Sequence, residues 1–142
     1  MKKIIIATAT TAIATATVAT FAVVSARKKI RMENLKTCIH GTADSCKVNA
    51  RYAKFNIDSK WLSIDERDKF NDTLKNLIGK VDPLVVKATE SSDESELNQI
   101  LLELENILQD ILKLKDEAFD LVLNHQRKGY DDFLQSLNKT VL

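Results

Sequence analysis

The sequence predicts an all-α fold: an N-terminal single transmembrane helix followed by a compact helical bundle of four or five helices, one of them long (about 93–128). Three observations predict it. Residues 4–26 carry no charge, no Pro and no Gly. Downstream, apolar residues recur at helical rather than alternating spacing. Gly and Pro are scarce, at 3 and 1 in the chain, which argues against a β-rich or loop-rich fold.

The apolar run IIIATATTAIATATVATFAVVSA is 23 residues long. At the helical rise it spans roughly 34 Å, against a hydrocarbon core of about 30 Å. It holds eight Ala and six Thr. A Thr hydroxyl bonds back to the carbonyl one turn earlier, which makes it tolerable in lipid. Ala7, Thr11, Thr15 and Ala19 fall on one face, where small side chains let another membrane helix approach closely. That face is a candidate helix-packing surface; a plain anchor of small residues is the alternative.

Lys2 and Lys3 precede the run, and Arg27, Lys28, Lys29 and Arg31 follow it. The excess of basic residues on the C-terminal side places the following domain on the cytosolic side. Near anionic lipid each basic residue contributes on the order of 1 kcal/mol. The rival reading is a signal peptide cleaved after Ala26, releasing an exported soluble helical binder or inhibitor. A signal core is typically about 7–15 residues, and the run exceeds that. The chain therefore divides into a membrane anchor with a basic flank, residues 1–36, and a helical domain, residues 37–142.

In the second part, residues 40–45 (HGTADS) read as a turn, and a helix follows to about Ile57 with Val48, Tyr52 and Phe55 on one face. Ser63 and Glu66 form a capping box. The helix they open carries Phe70, Leu74, Leu77, Ile78 and Val81 as one stripe. Asp82 and Pro83 suit the N-cap and first position of a short helix. Ser91 and Glu94 suggest another capping box. From Asp93 to Lys128 nothing interrupts the helix, and Gly129 suits a C-terminal cap. Its heptad seam holds Leu97, Ile100, Leu104, Ile107, Ile111, Leu114 and Leu121, a core or partner stripe widened by Leu101, Leu108 and Val122. Tyr130, Phe133, Leu134, Leu137 and Val141 follow on a last amphipathic helix.

Chemistry-bearing patterns are few. Cys38, His40 and Cys46 lack a fourth ligand at zinc spacing, so no metal is expected. Cys38 and Cys46 are a candidate disulfide, provided that the domain lies outside the cytosol. His125 suits a solvated helix end. Trp61 and Leu62 suit a plug at the end of the core. The acidic residues from Asp93 to Glu105 favour the helix dipole and imply no acid–base pair. The chain contains no phosphate-binding Gly loop, no G-x-S-x-G and no H-E-x-x-H. Lys plus Arg number 21 against 20 acids, which argues against a nucleic-acid partner. The expectation is a non-enzymatic scaffold or assembly subunit without cofactor or small-molecule substrate. Its partners would be the lipid bilayer and other subunits of a membrane complex.

Overall fold

A computed structural model describes the backbone of residues 2–141 and the side chains of residues 22–141. Four α-helices make up the described chain: α1 Lys2–Ile57, α2 Ile64–Gly79, α3 Val81–Glu90 and α4 Glu94–Val141. Among the described residues no helix is long and apolar enough to cross a membrane. Most of the apolar run, up to Phe21, lies outside the residues whose side chains are described.

The helices form a three-stranded bundle. The ion pair Arg31–Glu94 and the contacts Cys46–Leu104 and Asn56–Lys115 advance together along α1 and α4, so these two helices are parallel. The contacts Lys36–Thr89, Lys47–Asp82 and Lys54–Asn71 run in opposite order, so α2 and α3 together form the returning strand. This strand bends at Lys80, whose αR backbone (φ −85°, ψ −18°) nearly continues the helix.

The principal seam joins α1 to α4. On α1 the buried residues are Ile39, Ala43, Cys46, Ala50, Ala53 and Ile57, at alternating steps of four and three. On α4 they are Leu97, Ile100, Leu104, Ile107, Ile111, Leu114 and Ala118, in the same rhythm. This is a 3–4 ladder on each helix, the pattern of knobs-into-holes packing. Small residues dominate the α1 side, so the two helices approach closely. Leu74, Val81 and Ala88 close the core from the returning strand.

Several expectations require correction. The turn at 40–45 is not formed: α1 is one helix of 56 residues, roughly 84 Å long. Ile39, Ala43 and Cys46 lie in that stretch and are buried in the seam, which holds it helical. Residues 36 and 37 lie within α1, and Met32 and Leu35 pack against the core. Val48, Tyr52 and Phe55 share a face, but an exposed one; Cys46, Ala50, Ala53 and Ile57 point inward instead. The long helix does not end at Lys128. It continues through Gly129 to Val141, 48 residues in all, so there is no separate last helix. In place of the separate helices expected, four helices make up the described residues.

The Ser63–Glu66 capping box is present, with Ser63 Oγ accepting from Glu66 N–H at 3.1 Å and Glu66 Oε2 accepting from Ser63 N–H at 2.9 Å. At the start of α4, Asp93 Oδ1 accepts from Ser95 N–H at 3.0 Å, and Ser91 bonds Glu96 rather than Glu94. Lys80, not Asp82, precedes the first residue of α3, and Asp82 and Pro83 sit in its first turn. Pro is tolerated there because the first N–H groups of a helix have no intrahelical acceptor.

Gly41 tests the continuity of α1. Its φ is not positive, and a Cβ built there meets nothing within 4 Å. Gly41→Ala should therefore stabilise the protein by about 1 kcal/mol, through helix propensity alone. A rise of a few degrees in thermal midpoint is expected; a fall would restore the turn.

Candidate functional site

The face formed by Ala7, Thr11, Thr15 and Ala19 lies outside the residues whose side chains are described. Of its basic flank, Arg27, Lys28 and Lys29 are exposed. Arg31 is drawn to the first turn of α4, with Nε 3.3 Å from Glu94 Oε1. Here the two parallel helices come level: α4 begins where α1 leaves the apolar run. A cleft of about 410 Å³ lies at this end, lined by Ser25, Lys28, Lys29, Met32, Glu33, Lys36 and Ser92. Lys36 Nζ donates to the Thr89 carbonyl at 3.0 Å, so Lys28 and Lys29 carry the outward positive charge of the cleft.

The candidate stripe of α4 is divided by the structure. Leu97, Ile100, Leu104, Ile107, Ile111 and Leu114 are buried against α1 and the returning strand within one chain. Leu121, beyond the end of α1, is only half-buried.

Cys38 and Cys46 are not bridged. Eight residues of continuous helix separate them by roughly 12 Å along the axis, well beyond the Cα separation that a disulfide spans. Cys38 is exposed, whereas Cys46 is buried with Sγ 3.6 Å from the Leu104 carbonyl. Burial raises the Cys46 thiol above its ordinary value, partly offset by its backbone hydrogen bond. His40 is exposed on α1, so the trio does not converge, and no group of three or more His, Cys, Asp or Glu among the described residues is placed to hold a metal.

His125 is not simply a solvated helix end. Its Nε2 lies 3.0 Å from Glu66 Oε1 and 3.3 Å from Oε2, although 59 residues separate them in the chain. Glu66 thus caps α2 and ties α2 to α4 with one carboxylate. The Ser63 N–H and the His125 ring hold that carboxyl below its ordinary range. No local pattern marks this pair, because nothing near either residue in the chain refers to the other. Next to it Leu62 is buried and Trp61 lies on Gly129: a Cβ at Gly129 would be 3.1 Å from the indole ring. Leu62 is thus the residue that closes the distal end of the core, while Trp61, 37 % exposed, lies over Gly129 at its rim.

A second groove, of about 720 Å³, lies between α1 and α2. Ala50, Leu74 and Ile78 form its floor, and Lys47, Arg51, Lys54 and Lys75 its rim, without an acidic residue among the lining. Asp82 at 2.8 Å engages Lys47 and raises its pKa through the hydrogen bond and the charge. Lys54 is held by Asp58 at 2.7 Å and Asn71 at 3.0 Å. Arg51 and Lys75 complete the basic rim.

Beyond Gly129 every described residue of α4 is exposed. Twelve residues, 130–141, extend past the bundle for roughly 18 Å, with Tyr130, Phe133, Leu134, Leu137 and Val141 uncovered. The molecule therefore has two ends of different chemistry: a basic collar next to the apolar run, and an amphipathic helical projection with an uncovered apolar face at the far end. No protein-family model, curated protein or solved structure matches the chain.

Proposed function

We propose that the chain is a single-pass membrane-anchored interaction protein, a non-catalytic scaffold or assembly subunit. Residues 4–26 anchor it, and the bundle acts as a stalk. The observation that carries this reading is the uncharged run of 23 residues between Lys3 and Arg27. Its length suits a bilayer core. The unbroken helix of α1 through Ala26 and Arg27 supports retention over cleavage, because proteases favour exposed, flexible segments. Lys28 and Lys29 then meet the headgroups, which favours anionic lipid and a cytosolic bundle. The stalk holds its partner surfaces at a set height. From Arg27 to the end of α1 is roughly 45 Å.

Carbonate washing of membranes is the test. The full-length chain should stay in the pellet and enter solution only with detergent. In intact cells Cys38, the exposed thiol, should react with a membrane-permeant maleimide and not with an impermeant one. A full-length chain in the wash supernatant overturns the anchor. A chain lacking residues 1–26 replaces it with the exported binder.

A further inference from the structure

The bundle covers one seam of α4 and leaves a second seam open. Starting at Phe119, the residues Phe119, Leu123, Gln126, Tyr130, Phe133 and Leu137 follow one another at steps of four, three, four, three and four. That is a heptad ladder with Leu123, Tyr130 and Leu137 at a and Phe119, Gln126 and Phe133 at d. At 100° per residue it lies roughly 90° around the helix from the buried Ile111 seam. α1 ends at Ile57, and beyond Gly129 the bundle no longer reaches it; before Gly129, Leu123 is half-buried while Phe119 and Gln126 stay exposed. Phe119, Tyr130, Phe133 and Leu137 are between 45 % and 63 % exposed.

We infer that this second seam pairs two copies of the chain, as a parallel two-stranded coiled coil over residues 119–141. Three features select a second copy. The first is area: with Leu134 and Val141 beside the seam, each copy exposes roughly 600 Å² of side chain here, which reaches the lower bound for a specific interface before its polar flanks are counted. The second is Gln126. In a parallel, in-register pair the two Gln126 amides face each other and can exchange hydrogen bonds, whereas antiparallel pairing sets each against an apolar residue. One polar position of this kind sets register. The third is the flank: Lys115 at g lies opposite Asp120 at e of the other copy in the parallel register. Asp116 falls on the seam one turn before Phe119 and ends it there.

The pairing does not rest on the membrane reading, although two chains anchored in the same bilayer would meet in parallel. Full-length protein in detergent, followed by light scattering at micromolar concentration, should give a dimer. The double variant Phe133→Glu, Leu137→Glu should be monomeric with an unchanged helical melt, since both side chains are exposed in one chain. Gln126→Cys should crosslink to itself under mild oxidation, and Asp131→Cys, on the outer face, should not. A monomeric wild type overturns the inference. So does a dimer that survives the double variant, which would instead point to the apolar run 4–26 or another surface. Failure of Gln126→Cys to crosslink in a dimer that the double variant dissolves overturns the parallel register.

Discussion

Ile111→Asp unfolds the bundle. Ile111 is fully buried at the middle of the α4 seam, facing α1. Aspartate there removes a side chain whose burial contributes about 1.5–3 kcal/mol. It also places a carboxylate where no cation reaches it, and it must either be protonated or bring water in. Together these should cost several kcal/mol, against a total stability of about 5–15 kcal/mol for a domain of this kind. In detergent-solubilised full-length protein, the cooperative helical melt should be lost or fall far below that of the parent. Thr73→Ala, on an exposed face of α2, should change the melt by less than about 0.5 kcal/mol. An unchanged melt for Ile111→Asp, with loss of an oligomer only, would make the Ile111 seam a partner surface and remove the intramolecular bundle.

Ala53→Leu should be the second most damaging change, although it adds hydrophobic surface. Ala53 is completely buried where α1 meets α4, between Ala50 and Ile57 on the same ladder. The close approach of the two helices leaves no room for three more carbons, so α1 must shift or its rotamers must strain, at about 1–3 kcal/mol. Tyr52→Ala, one residue away on the exposed face, should be nearly neutral. Thermal melts of the two variants decide which face of α1 is inward. If Tyr52→Ala costs more than Ala53→Leu, the aromatic face is the buried one and the packing described above is wrong.

The contrast between these neighbours shows what was legible from the chain. Val48, Tyr52 and Phe55 are the conspicuous apolar residues of their stretch, and their spacing correctly puts them on one helical face. The inward face is instead Cys46, Ala50 and Ala53, which carry little hydrophobic signal each. Their value lies in being small opposite Leu104 and Ile111, and only the presence of α4 gives smallness an energetic meaning. Gly41 and Gly129 mislead for a related reason. Each weakens a helix by about 1 kcal/mol. Packing of Ile39, Ala43 and Cys46 outweighs that cost at Gly41, and at Gly129 the missing Cβ makes room for Trp61.

The sequence by itself determined that the protein is helical, where α2 is capped, and which residues of α4 line its principal seam. Those are local properties: a capping box needs four consecutive residues, and a stripe needs only the helical period. Tertiary structure alone decided that α1 runs unbroken through residues 40–45, that α1 and α4 lie parallel, and that Glu66 meets His125. It also decided that the seam of Phe119, Tyr130 and Phe133 stays open. A periodic pattern reports which side chains share a face. Whether that face is covered depends on a helix some fifty residues away, whose position follows from the packing of the whole bundle.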